Sequence, residues 1–235
     1  MPGKLLVVAT PIGNLEDLSP RARDALKEAD LVACEDTRRT GRLLARLGLK
    51  KRLISLHEHN ERRRLPGLLK ELAAGRSVAL ASDAGTPLLS DPGYLLVRGA
   101  VAAGVRVEAV PGPSAVLAAL VASGLPPYPF TFAGFPPHRR GKRRAFYRRF
   151  AALDHTLIFF ESPHRLLASL EDAVRELGDR PAAAARELTK RYEEILRGSL
   201  TALREELAAR PALKGEFTLV VGAPAATLPT PPMPS

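Results

Sequence analysis

Three short segments of this sequence concentrate side chains that can move protons, stabilise an anion or bind phosphate. His57-Glu58-His59-Asn60-Glu61 places two imidazoles and two carboxylates within one run. Such groups accept or deliver protons near neutral pH. They could also suggest a metal, but they are packed too closely along the chain for one clear ligand set. Arg186-Glu187-Leu188-Thr189-Lys190 sets Glu187 three residues before Lys190. That spacing suits a surface ion pair or an ammonium held in place for chemistry. The third segment is basic: Arg139, Arg140, Lys142, Arg143 and Arg144, continued by Arg148 and Arg149, with Phe135, Phe146 and Tyr147 nearby. Lys and Arg neutralise phosphates, and aromatic rings stack on splayed bases. His164 and Arg165 extend the same patch, whose competing reading is a solvated helix face.

The whole chain leans the same way. Its formal net charge is +10 and its isoelectric point about 10.2, which favours an anionic partner such as nucleic acid. Free use of Arg on solvated surfaces, in a chain with many Ala and no Trp, is the compositional alternative. The length of 235 residues suits one large or two small domains. At 46% hydrophobic and 26% charged, the composition is that of a globular protein. No apolar run approaches the roughly 20 residues that span a bilayer, and the start is too short for a signal peptide. The single Cys34 excludes an intramolecular disulfide and a multi-cysteine metal site. A cytoplasmic enzyme with no membrane partner is the expectation.

The elements that must position these groups follow from alternating short apolar runs and amphipathic helical spacing, the pattern of an α/β protein with a substantially parallel sheet. Strands are predicted at 5–9, 31–34, 52–56, 77–81 and 105–110, with helices at 20–29, 37–47, 62–74, 94–103 and 113–123. After Gly124-Leu125-Pro126-Pro127 the composition shifts. Strands are predicted at 130–135, 156–160, 182–187, 192–196 and 216–221, and helices at 143–153, 164–177 and 200–209. Two α/β domains are therefore expected, 1–123 and 124–222, with 223–235 a Pro-rich tail lacking fixed structure.

Three strand-to-helix turns are rich in Gly, Pro and small polar residues, and such turns at the carboxyl ends of a parallel sheet bind ligands. The first is Ala9-Thr10-Pro11-Ile12-Gly13-Asn14-Leu15, which is neither GxGxxG nor a Walker A loop. The second runs from Ser82-Asp83-Ala84-Gly85-Thr86-Pro87 to Ser90-Asp91-Pro92-Gly93. Asp83 could accept a hydrogen bond from a ribose hydroxyl or an ammonium, while Ser90-Asp91-Pro92 could cap the next helix. The third is Val110-Pro111-Gly112-Pro113-Ser114-Ala115. Each alone has an ordinary reading as a turn or helix start.

Together and in this order they resemble the tetrapyrrole methylase superfamily, the class III S-adenosylmethionine methyltransferases. Cys34-Glu35-Asp36-Thr37-Arg38, the His57 to Glu61 segment, Phe160-Glu161-Ser162-Pro163-His164-Arg165, the Arg186 to Lys190 segment and Glu216-Phe217-Thr218-Leu219-Val220 narrow the match. They are similar to the RsmI family, the 16S rRNA (cytidine-2′-O)-methyltransferases. The resemblance spans residues 4–222. It implies two α/β domains of the tetrapyrrole methylase fold, a cofactor cleft between them, and a homodimer. The positions it assigns to S-adenosylmethionine are Pro11, Gly13, Asp83, Ala84, Gly85, Thr86, Pro87, Ser114, Ala115, Phe160 and Glu161, with Glu216, Thr218 and Leu219 closing the site. Many members carry a further C-terminal extension where this chain has its Pro-rich tail, so any RNA contact made there must be made elsewhere or not at all.

Methyl transfer to a ribose oxygen is an in-line displacement that needs alignment of the partners and removal of one proton. A base, or a cation that stabilises the developing alkoxide, helps; no metal is required or expected. His57 and Glu58 are candidates in the first segment, and Lys190 is a candidate stabiliser or base with Glu187 as its orienter. Glu35, Asp36 and Arg38 are expected to line the same mouth. Arg139, Arg140, Lys142, Arg143, Arg144, Arg148, His164 and Arg165 are the expected contacts to 16S rRNA or the small ribosomal subunit. Two rivals remain: methylation of a small molecule such as a tetrapyrrole, and a non-catalytic RNA-binding module that keeps the fold. A more apolar mouth would favour the first, and decay of the Asp83 to Pro87 turn the second.

Overall fold

Short, unbroken apolar runs become the inner strands of a parallel sheet because both their faces must be covered. In the computed structural model, which describes residues 3–224, this holds for β2 (Leu31–Cys34) and β4 (Val78–Ala81), whose residues are all buried. They sit inside a sheet completed by β1 (Lys4–Val8), β3 (Arg52–Ser55) and β5 (Arg106–Val110), in the order β3-β2-β4-β1-β5. Every pairing in it is parallel. The helices between the strands are α1 (Pro20–Glu28), α2 (Thr37–Arg46), α3 (Glu61–Ala73) and α4 (Tyr94–Ala102).

The helices divide between the two faces. Ala22 and Leu26 of α1 and Leu44 of α2 pack with Leu6, Val8, Val32 and Ala79. Leu68 and Leu72 of α3 and Leu96 and Ala100 of α4 pack on the opposite face with Leu5, Leu31, Ala33 and Leu80. Each fully buried leucine contributes roughly 1.5–3 kcal/mol relative to exposure. The neighbours β1 and β4 thus send their following helices to opposite faces. In open α/β sheets a crevice forms at the strand ends where this reversal occurs.

The chain divides into two compact units, Met1–Ser114 and Ala115–Ser235. The second contains α5 (Ala115–Ser123), β6 (Phe130–Phe132), α6 (Arg140–Arg148), β7 (Thr156–Glu161), α7 (Leu166–Leu177), β8 (Pro181–Arg186), β9 (Glu194–Ser199), α8 (Leu200–Ala208) and β10 (Phe217–Val221). Its sheet runs β6-β7-β10-β8-β9. Tyr147, Phe159, Leu170, Leu203 and Leu219 anchor a core shared by α6, α7, α8 and one sheet face.

Three sequence-based expectations need correction here. Only β6 and β7 pair in parallel; β10 runs antiparallel to β7 and β8, and β8 to β9. With no helix between β8 and β9 the chain returns directly, and a direct return forces antiparallel pairing. The boundary lies before α5 rather than after it, because α5 packs on β8, β9 and β10. Arg197 of β9 also donates to the Ser123 carbonyl at the helix end, at 3.2 Å. The helix expected at 143–153 starts at Arg140 and stops at Arg148. Beyond it the chain turns tightly, and the buried Arg180 donates to the carbonyls of Ala151 and Leu153. Residues 225–235, most of the expected tail, lie outside the described residues.

Candidate functional site

The turns after β1 and β4 are stitched together at the reversal point. Thr10 and Gly85 form an isolated bridge, Thr10 N to Gly85 O at 2.9 Å and Gly85 N to Thr10 O at 3.0 Å. Thr10 Oγ1 donates to the Ser82 carbonyl at 3.1 Å, and Ser82 Oγ to the Gly85 carbonyl at 2.9 Å. Thr86 Oγ1 reaches the Pro113 carbonyl at 3.2 Å, which adds the turn after β5. Gly85 has φ 88°, and a Cβ there would lie 3.3 Å from Ile12 Cγ2. Leu88 and Ser90 also hold positive φ, 77° and 71°. Left-handed backbone at non-glycine residues costs on the order of 1–3 kcal/mol each and gathers at functional loops. The expected donor-binding residues of the first unit, Pro11, Gly13, Asp83 to Pro87 and Ser114, therefore all belong to this stitched set of turns.

Asp83 also has a partner within the protein. Its Oδ1 accepts from the backbone N–H of Asp36 at 3.0 Å, and Arg39 Nε lies 3.5 Å from Oδ2. The turn after β4 is thereby fixed to the turn after β2. Asp36 in turn caps α2, accepting from Arg38 N at 2.8 Å and from the Arg38 guanidinium. Those bonds hold its carboxyl well below the usual carboxylate range. Neighbouring acids behave oppositely. Burial, then the charge of Asp83, pushes Glu35 up. Burial and the charge of Glu35 push Asp91 up to about 6, against a hydrogen bond with Ser82.

Next to these acids a polar cleft of about 490 Å³ is lined by Glu35, Asp36, Thr37, Arg38, Ser55, His57, Glu58 and His59. The segment after β2 and the one after β3 thus share one mouth. The second segment divides by role. Asn60 is buried and structural, accepting from His57 N at 2.9 Å and donating to the Ser55 carbonyl at 3.2 Å. Glu61 is also buried, and its Oε1 accepts from Gly93 N at 3.1 Å, Leu95 N at 2.8 Å and Leu96 N at 3.4 Å. It therefore caps α4, whose own N-cap is a glycine. Asp91 does not provide that cap, contrary to the sequence-based reading. A residue 32 positions away does, and nothing in the local pattern around Asp91 pointed to it. Among the described residues no group of His, Cys, Asp or Glu is arranged to hold a metal ion.

In the second unit, Lys190 Nζ donates to Glu187 Oε1 at 2.8 Å and to Glu216 Oε2 at 3.0 Å. Glu187 Oε1 also accepts from Glu216 N at 3.0 Å. Glu187 and Thr189 have positive φ, 50° and 64°. Gly215 leaves the room that Glu187 uses, since a Cβ there would sit 2.5 Å from Glu187 Cγ. Burial lowers the pKa of Lys190, but the bonds to both carboxylates outweigh it and the net shift is upward. For Glu187 burial raises the pKa, and the Lys190 and Glu216 contacts outweigh it downward. Lys190 is thus held between two carboxylates, an arrangement that favours its charged form.

Phe160 and Thr218 are partners across β7 and β10, and Phe160 packs against the rings of Phe132 and Phe135. Leu219 points into the core, so only its backbone is available to a ligand. Ala115 opens α5. Glu161 is buried; its Oε1 accepts from Ser162 N at 2.8 Å and pairs with Arg165 at 3.0 Å. Its Oε2 is buried with no partner among the described residues.

The basic segment departs most from expectation. Arg143 is buried and bonded to Asp172 at 2.7 Å, with further bonds to the carbonyls of His138 and Ala168. Arg140 pairs with Glu171 and Asp172, and Arg144 and Arg148 both pair with Glu176. Arg165 is taken up by Glu161, Ser162 and the Pro136 carbonyl. Arg143 and Arg165 are structural, and α7 neutralises most of the rest. Arg139, Lys142 and His164 remain exposed.

Residues 4–204 match the Tetrapyrrole (Corrin/Porphyrin) Methylases. The chain is 53% identical over 219 residues to a protein of Mesorhizobium japonicum named ribosomal RNA small subunit methyltransferase I, covering 93% of this chain and 74% of that one. It is 50% identical over 222 residues to a protein of the same name from Xylella fastidiosa, covering 94% and 81%. Among solved structures, uroporphyrin-III C-methyl transferase from Thermus thermophilus, complexed with S-adenyl homocysteine, superposes with a TM-score of 0.64 at 23% identity, over 94% of this chain and 97% of that one.

Proposed function

The chain belongs to the tetrapyrrole methylases, and from that premise we propose that it transfers a methyl group from S-adenosylmethionine to the ribose 2′-hydroxyl of a cytidine in 16S ribosomal RNA of the small subunit. The observation that carries this reading is about 50% identity, over nearly the whole chain, to relatives named for small-subunit ribosomal RNA methylation. The polar cleft supports a hydroxyl-bearing acceptor over a porphyrinoid, which would need apolar walls.

The residues present fit the donor. The turns at Pro11 to Gly13 and Asp83 to Pro87 are rich in small residues, and Gly85 takes a conformation that leaves space against Ile12. In the second unit, Glu161 Oε2 is a buried acceptor with no partner among the described residues. The donor supplies an electrophilic sulfonium methyl. The 2′-oxygen forms the new C–O bond as the C–S bond breaks, and the hydroxyl proton goes to a base. His57 and Glu58 line the cleft and supply groups able to take that proton. In the second unit, Lys190, held by Glu187 and Glu216, is the candidate cation for stabilising a developing alkoxide. Water exclusion and alignment supply the remainder of the acceleration.

We further propose that the protein works in the cytoplasm as a homodimer. Leu117 and Val121, one turn apart on α5, are 52% and 77% exposed and suit burial against a second copy. No described helix is long and apolar enough to cross a membrane. The test uses labelled S-adenosylmethionine and small subunits from a strain lacking the enzyme. Label in a cytidine ribose of 16S rRNA is the expected result; donor binding without any transfer to RNA would sink the reading.

A further inference from the structure

The arginines of α6 are largely answered by α7, whereas a set of exposed arginines with no ion pair among the described residues flanks the cleft of the first unit. α2 and α3 both begin at the rim of the polar cleft and pack on opposite faces of the sheet. Thr37 and Arg38 of α2 line the cleft, and α3 starts two residues after the lining His59. Arg42 and Arg46 continue along α2 in steps of four from Arg38, a spacing that keeps side chains on neighbouring positions of one face. Arg62, Arg63 and Arg64 fill the first turn of α3. All five are exposed, and none makes an ion pair among the described residues.

We propose that these arginines, Arg42 and Arg46 on one bank and Arg62, Arg63 and Arg64 on the other, are the phosphate-binding surface that seats RNA over the cleft. The inference rests on the methyl-transfer reading for its choice of polyanion. The two rows differ from the cleft they flank. The carboxyl groups of Glu35, Asp36 and Glu58 in its lining offer acceptors for hydroxyl and amino groups of a nucleoside, and carboxylates repel a phosphate. Arginine banks around an acceptor-rich pocket suit a nucleotide turned out of its strand, with its flanking phosphates held outside. α6 is less suited, because Glu171, Asp172 and Glu176 pair with four of its arginines, Arg140, Arg143, Arg144 and Arg148.

The test compares full-length variants. In the rim variant all five arginines become Gln; in the control Arg139, Lys142 and Arg149 become Gln. Binding to intact small subunits and to a 16S rRNA fragment is measured between about 50 and 200 mM salt, with donor affinity and thermal unfolding alongside. With single-stranded contacts worth about 0.7 each, the salt slope of the rim variant falls by about 3.5. Its affinity falls at least roughly tenfold, while donor affinity and melting are unchanged. The control shifts affinity by less than about twofold. A rim variant that binds as wild type does, or a control that loses more than the rim variant, overturns the surface. The activity reading fails separately: wild-type protein that binds RNA through the rim but transfers no methyl leaves the surface standing and removes the activity. Wild-type protein that binds no RNA overturns both.

Discussion

The two units spend their charge in opposite ways. In the second, acids and bases answer one another: Asp172 with Arg143, Glu176 with Arg144 and Arg148, Glu194 with Arg210, and Glu187 with Lys190. At the rim of the first, Glu35 and Asp91 crowd one another, while Arg42 and Arg46 of α2 and Arg62, Arg63 and Arg64 of α3 face solvent. Paired charge fixes a fold, and unpaired charge near a cleft is available to a ligand. The lesson is that a run of arginines says little until the facing element is known.

The sharpest test of this contrast is Arg143→Ala, which strands the buried Asp172 carboxylate. A loss of about 3–5 kcal/mol is expected from denaturant unfolding; a loss under about 1 would mean that the pair is not structural. Next comes Lys190→Ala. If a fully paired cation still serves chemistry, single-turnover transfer falls roughly 10²–10³-fold with donor affinity kept. Unchanged transfer would make the Lys190 cluster purely architectural. Glu61→Ala removes a shared cap and is expected to destabilise by about 1 kcal/mol, weakening donor binding several-fold, with Glu61→Gln restoring most of it.

Acid then separates Asp91 from Glu176 and Glu194 by sign. Asp91 has a raised pKa, so its contribution to stability is full below its unfolded value and is lost as pH rises through about 6. Glu176 and Glu194 are lowered, through their bonds to Arg148 and Arg144 and to Arg210 respectively, so their contributions are present above the ordinary carboxylate range and lost as pH falls. Asp91→Asn should therefore flatten the decline in stability towards neutral pH, and Glu176→Gln the decline towards acid. Matching slopes in unfolding measured from pH to pH would break the contrast. The smallest effect is expected for Arg42→Gln or Arg63→Gln alone, within about 0.5 kcal/mol of wild-type stability.

Much of the fold was legible because periodicity and punctuation are local. The helices expected from Pro20 and from Thr37 start at those residues in the structure. The buried runs of β2 and β4 could be read as inner strands from composition alone. The direction of β9 was also available, since no helical pattern separates it from β8, but the alternation earlier in the chain drew it towards a parallel reading. What stayed hidden depends on distant partners. Arg143 looks like its neighbours until Asp172 is placed opposite it, 29 residues on. Glu61 reads as part of a catalytic cluster until α4 is found with a bare glycine start. The cleft itself was half visible, because Glu35, Asp36 and Arg38 were expected beside His57 and Glu58, and these line it together.

That cap has a thermodynamic consequence. Glu61 follows the segment that lines the polar cleft yet holds the N-terminus of the helix after the Ser82 to Gly93 turn, so displacing either one loads the same three hydrogen bonds. If donor and RNA bind where proposed, such sharing makes the two binding events a linked equilibrium. Whatever factor the donor contributes to RNA affinity, RNA must return to donor affinity, since coupling free energy has no preferred direction. Measured both ways round in wild type and in Glu61→Ala, that factor would give the strength of the link in a single number.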